Sequence, residues 1–363
     1  MLFRLLALVV LLGLCSPSAS GQTPDSSSAD SSANVADDDW LVLPFASFSP
    51  QTQFSGGMVA GWYGAADGHI PPSSVQTSIT VTQRRQIILS LAPEVYLAEG
   101  RWRLNGELGI SKFPSSFFGV GGDTPSAAEE DYTSRSIRLD GSVQRSVDTF
   151  ARLGGRLMLH ASTISEPDSG GVLAADAVPG ADGTTVLGVG PTLFVDTRDN
   201  LYFPTHGTFA DLSVVWTSAL WGSEATFARW IGDVRAYRSW GDVVLATNAY
   251  TEAVVGTVPF ELLPRLGGDV HMRGYRTGRY RDNVYWATQA EARLPLFWRF
   301  RMTVFANAGE VGPRIGSDLF SGIQTAVGLG GRLRLTDDGV HGRVDLAYGA
   351  HGPQIYLSLG EAF

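Results

Sequence analysis

The residues best placed to do chemistry in this 363-residue sequence are charged rather than nucleophilic. One run, His271-Met-Arg-Gly-Tyr-Arg-Thr-Gly-Arg-Tyr-Arg-Asp-Asn283, has Arg273, Gly274 and Tyr275 near its start. An arginine carried into a protein interior needs an inward carboxylate or dense hydrogen bonding, because an unpaired buried charge is costly. Suitable partners follow at strand parity. Tyr285, Gln289, Glu291 and Arg293 share one face of a strand expected over 283–294, and Arg301, Thr303, Phe305 and Asn307 share one face of a strand expected over 299–308.

Catalytic constellations find little support. The six histidines (His69, His160, His206, His271, His341 and His351) show no metal-binding spacing such as His-Glu-x-x-His. No Gly-x-Ser-x-Gly elbow occurs at a strand-to-helix turn, and a hydrolase would need an inward nucleophile beside a base such as His160. Gly119-Val-Gly121-Gly122 and Gly328-Leu-Gly330-Gly331 precede no helix, so they are not phosphate loops. The expectation is a non-enzyme with no catalytic residue, cofactor or metal. Glu129 to Asp131 reads as a solvated loop.

The elements that must position these charges alternate with a period of two. Val75, Thr77, Ile79 and Val81 oppose Gln76, Ser78, Thr80 and Thr82; Val344, Leu346 and Tyr348 oppose Arg343 and Asp345. Polar faces carry charge, as in Arg138 and Asp140, Arg152 and Arg156, or Glu291 and Arg293. A soluble sandwich would solvate such faces, whereas a membrane barrel would put them in its lumen. The N-terminus favours the barrel. Arg4, the apolar stretch Leu5 to Leu14 and the small residues Ser18 and Ser20 read as an export signal over 1–20, too short to span a bilayer as a helix. Removing it would remove Cys15, the one cysteine. Residues 21–39, rich in Ser, Ala and Asp, read as a disordered acidic linker. Trp62, Trp102, Trp216, Trp240, Trp286 and Trp298 fall near expected strand ends, as interfacial girdles require. Phe363 ends a last expected strand, 353–363, and reads as a lipid-interface aromatic and insertion signal. The acidic balance, net −9, argues against nucleic-acid binding.

The fold class read from this pattern is all-β: a transmembrane antiparallel β-barrel over 40–363, of about 16 strands, with both termini periplasmic. The first strand, 41–48, reads as short. Long connections at 113–131, 164–182, 256–282 and 309–321 follow odd strands, and mostly tight turns follow even ones, which is the outer-membrane pattern.

Three stretches resemble the BamA/TamA surface-antigen superfamily of outer-membrane barrels. They are the run 271–283; Phe-Val-Asp-Thr-Arg-Asp-Asn with the following Phe-Pro-Thr-His-Gly, within 194–207; and Phe-Phe-Gly-Val-Gly-Gly-Asp-Thr-Pro from Phe117. The resemblance implies that the Arg273-Gly274-Tyr275 loop folds back into the barrel and meets Glu291, Phe305, Asn307 and Gly309. Asn307 stands where the family usually has an Asp, so it is expected to act as a neutral acceptor. Asp196, Arg198, Asp199, Pro204 and Gly207 match the family's turn into the ninth strand and read as structural turn chemistry. The chain resembles short members without periplasmic POTRA modules. Insertion or translocation of proteins or lipids through a first–last strand seam is the implied function. Outer-membrane lipid, the barrel-assembly machinery and a separate periplasmic protein are the implied partners. The alternative is a passive, anion-preferring pore or surface antigen.

Overall fold

The structure is a computed structural model that describes residues 39–64, 73–335 and 340–363. The expected export signal and residues 21–38 of the expected linker lie outside the described residues. Asp39 already belongs to the first strand.

The strands are β1 (Asp39–Ser49), β2 (Gln53–Tyr63), β3 (Ser74–Thr82), β4 (Ile87–Leu97), β5 (Trp102–Phe117), β6 (Glu130–Ser146), β7 (Ala151–Ser165), β8 (Gly183–Asp196) and β9 (Gly207–Thr217). They continue as β10 (Phe227–Trp240), β11 (Val243–Gly256), the short β12 (Arg265–Leu266) and β13 (Tyr280–Arg281), β14 (Val284–Pro295), β15 (Phe300–Gly312), β16 (Gln324–Arg334), β17 (His341–Gly349) and β18 (Gly352–Leu359). Sixteen of them close one antiparallel barrel in chain order, β18 meeting β1, while β12 and β13 form a separate two-stranded sheet. No helix among the described residues is long and apolar enough to cross a membrane.

The wall is inverted relative to a soluble protein. Leu245, Val304, Val327, Leu329 and Leu346 are exposed on the outside, while Glu291, Arg293, Thr303, Arg332 and Asp345 are buried inside. Alternation places these sets on opposite faces of the same strands, so the exposed apolar face needs lipid and the polar face needs internal partners. Trp40, Trp102, Trp240 and Trp298 lie exposed at the short-turn end of the wall, and Trp216 at the other end. Rings at those levels fit the interfaces of a bilayer.

Three boundaries differ from the sequence reading. The first strand is not short: β1 has eleven residues. The 113–131 connection is shorter than expected, because β5 runs to Phe117 and β6 starts at Glu130, which leaves residues 118–129 between them. β18 stops at Leu359, where Gly360 adopts φ +81° and turns the chain inward.

The closing seam is sparse. Only Phe48↔Leu357 pairs β1 with β18, against eight pairs between β17 and β18 and eleven between β1 and β2. With β18 turned inward at Gly360, the first half of β1 has no ladder partner on that side.

Candidate functional site

The connection 257–283 between β11 and β14 enters the lumen and returns through the β12–β13 pair. Burying this irregular backbone requires that its polar groups find partners. At its deepest point Arg273 is fully buried. Its Nη2 donates to Glu291 on β14 at 2.8 Å, and its Nη1 donates to Asp345 on β17 at 2.8 Å. Gln289 accepts a weaker bond at 3.3 Å. The guanidinium carbon sits 3.5 Å from the Phe305 ring centroid, so the cation is stacked as well as paired.

Backbone groups of the motif are also fixed. Asn307 donates its amide N–H to the Arg273 carbonyl at 2.8 Å. This corrects the expectation that Asn307 accepts from the arginine: a carboxylate cannot donate to a carbonyl, and the amide can. Gly274 has φ +103°, and a Cβ there would lie 2.6 Å from that of Ala326, so only glycine fits without strain. Its N–H donates to the Tyr356 hydroxyl at 2.9 Å. The Tyr275 hydroxyl donates to the Thr325 carbonyl at 3.0 Å. Gly309 is not in contact range by hydrogen bonding; it sits on β15 opposite Ala287, where a Cβ would press on the Trp286 carbonyl at 2.7 Å.

Arg273 belongs to a larger lumen network. Glu291 also accepts from Arg293 at 2.8 Å, and Asp345 from Arg332 at 2.5 Å. Arg332 reaches Glu361 at 2.8 Å, and Arg343 reaches Asp269 at 2.8 Å. Four arginines thus meet four carboxylates, which lowers the penalty of taking each charge out of water. Asp345, Tyr356 and Glu361 were not among the expected partners. The alternation of Val344, Leu346 and Tyr348 against Arg343 and Asp345 marked Asp345 as inward, but nothing local linked it to Arg273.

The short-turn end is closed by two segments. In the turn before β9, Arg198 donates two hydrogen bonds to Asp196, at 2.9 and 2.6 Å, and Asp199 accepts from the Thr205 and His206 amides at 2.8 and 3.1 Å. Pro204 is buried, and Gly207 enters β9 with φ +102°. This turn pushes Phe203 inward, 5.3 Å from the Arg293 guanidinium. The second segment, residues 360–363, corrects the expectation for Phe363. The ring does not face lipid. It is buried against Tyr237 and Ala246, and its carbonyl accepts from Arg293 Nη2 at 3.0 Å. The reason is the turn at Gly360, which carries Glu361 to the lumen arginines and the terminal ring with it.

At the long-loop end, Phe260 packs against Phe117 and Tyr132, and its N–H donates to the Pro179 carbonyl at 2.9 Å. Glu129 is not simply solvated: it pairs with Arg276 at 3.0 Å. Glu261 lies 3.5 Å from the buried His160. Burial pushes the Glu261 carboxyl up, but the polar side chains of His160, Ser162 and Ser134 around it outweigh this and hold it at about 2. His271 stacks on Tyr250 at 3.8 Å, and burial lowers its imidazole to about 4. Among the described residues no cluster of His, Cys, Asp and Glu is placed to hold a metal.

These features define a class: a transmembrane β-barrel whose lumen is filled by an inward loop anchored through a buried arginine. The Omp85 superfamily domain matches residues 73–363, and the chain belongs to that superfamily, a fold of the bacterial outer membrane. No curated protein matches the chain. Among solved structures it is similar in fold to BamA from Haemophilus ducreyi lacking POTRA domains 1–3, at TM-score 0.63 and 14% identity over 89% of this chain and 70% of that one. It is also similar to CdiB from Escherichia coli (TM-score 0.59, 12% identity, 88% of this chain) and from Acinetobacter baumannii (0.54, 12%, 88%). This chain spans only 62% and 59% of those two CdiB chains.

Proposed function

We propose that this barrel assists the insertion or translocation of proteins or lipids at the outer membrane through the seam between β1 and β18. The observation that carries the reading is the single register pair Phe48↔Leu357 in a wall otherwise paired along its length. A strand edge with unmade hydrogen bonds facing a bilayer is unstable unless it is used for pairing. The filled lumen supports the same reading, because the Arg273 network, Phe203 and Phe363 leave the wall rather than the axis as the way through. Membership of the Omp85 superfamily and the fold of BamA and CdiB add support. A separate periplasmic protein that delivers clients, and the barrel-assembly machinery for the chain's own insertion, belong to this proposal.

The test is a disulfide across the seam, Phe48→Cys with Leu357→Cys, in the cysteine-free remainder of the barrel. Oxidised protein in liposomes should lose its ability to accelerate insertion of a reporter barrel, and reduction should restore it. Full activity with the seam locked would refute the proposal. Steady, large conductance steps in planar bilayers would favour the passive pore instead.

A further inference from the structure

At the long-loop end of the seam the wall opens onto a cavity of 480 Å³. Gln354 and Ile355 both line it, although neighbours on one strand face opposite sides of a barrel wall. Both can do so because the cavity lies at the edge of β18, in the gap beyond the single seam pair. On its lipid side it meets Phe48, Pro353 and Ile355, the last two exposed. On its inner side it meets Arg276 and Arg279.

Positive charge there is under-compensated. Arg279 is only 7% exposed, and its bonds run to neutral acceptors: Thr124 Oγ1 at 3.1 Å, the Thr124 carbonyl at 2.7 Å and Ser126 Oγ at 3.2 Å. The faces of Phe118 and Tyr280 lie 4.8 and 4.4 Å from its guanidinium. Arg276 shares Glu129 at 3.0 Å, the one carboxylate on the cavity wall. The surplus is felt by neighbours. Arg84, in the β3–β4 turn, is held below its ordinary value by burial and then by Arg276, and His351 by burial and then by Arg279. A desolvated arginine without a carboxylate is poised for an external anion.

We propose that this cavity binds a lipid carrying a phosphate headgroup, with the phosphate on Arg276 and Arg279 and an acyl chain leaving past Phe48 and Ile355 into the outer leaflet. The apolar lip favours a lipid over a free anion, since it continues directly into the lipid-facing wall. Such a ligand would prop the upper seam and bring its own apolar chain to the unpaired edge. This site stands independently of whether the barrel inserts clients.

The test uses the barrel in phosphatidylcholine nanodiscs doped with phosphatidic acid or with diacylglycerol of the same chains, read by native mass spectrometry after release. Phosphatidic acid should be retained in preference to diacylglycerol. Arg279→Gln should weaken retention about tenfold, as expected for loss of one charge-assisted contact. Gln354→Glu, which leaves the loop anchors in place and adds a negative charge to the cavity, should do the same while the barrel keeps its folded gel mobility. Equal retention of the two lipids, or wild-type retention by a folded Gln354→Glu variant, would overturn the proposal. Complete displacement by inorganic phosphate at matched concentration would overturn the lipid assignment and leave a simple anion site.

Discussion

Replacing Arg273 by methionine keeps much of the side-chain volume and deletes the charge. The guanidinium it removes is fully buried, bonded to Glu291 and Asp345 at 2.8 Å each and stacked 3.5 Å from Phe305. Breaking a buried ion pair by removing one partner costs about 3–5 kcal/mol, because the remaining charge stays uncompensated. Here two carboxylates lose a partner, but each retains another: Arg293 for Glu291 at 2.8 Å, and Arg332 for Asp345 at 2.5 Å. The lower part of the range, about 3 kcal/mol, is therefore expected. That amounts to roughly a hundredfold rise in the opening equilibrium of the loop. The assay is hydrogen exchange at the Gly274 amide, which donates to Tyr356 only while the loop is docked. Adding Asp345→Asn should return part of the loss, because it restores the balance of lumen charge. Unchanged Gly274 exchange in Arg273→Met, with the barrel intact, would refute the claim that this arginine anchors the loop.

Gly274→Ala should strain the same loop by about 1–3 kcal/mol from its positive φ alone, before the 2.6 Å approach to Ala326 is relieved, and exchange at Gly274's neighbours reads it. Lowering pH should loosen the loop through His271. Its folded value of about 4 lies below the ordinary 6.5, so the unfolded or undocked state binds the proton first. The stabilisation is whole above pH 6.5 and declines as pH falls to 4; a histidine NMR titration giving an ordinary value would contradict this. Phe363→Ala should free the segment 360–363 from Tyr237 and Ala246, at up to about 3–5 kcal/mol for a buried ring. The readout is faster exchange of the Gly360 amide, now bonded to the His341 carbonyl at 2.8 Å. By contrast, Glu129→Gln removes a pair with a half-exposed carboxylate and should change loop stability by less than about 1 kcal/mol.

Alternation was enough to locate the sixteen wall strands, because side chains of a strand point to opposite faces every second residue, but the choice of a barrel over a soluble sandwich needed the export signal and the Trp placement as well. The same rule placed Glu291, Phe305 and Asn307 inside, and the costliness of a buried charge required a carboxylate for Arg273. What the rule could not supply is distance around the barrel. Asp345 lies 72 residues beyond Arg273 and Tyr356 82 residues beyond Gly274, so their contacts depend on how closure brings β17 and β18 opposite the loop. Phe363 shows the limit most clearly. Its position at the end of an alternating run points outward to lipid, but one glycine at 360 with φ +81° redirects the chain. Glu361 then finds Arg332 and Arg293, an attraction that exists only once the lumen is assembled. The local period fixes which face each residue takes; which faces meet across the lumen, and how weakly β1 meets β18, follow from closing the sheet.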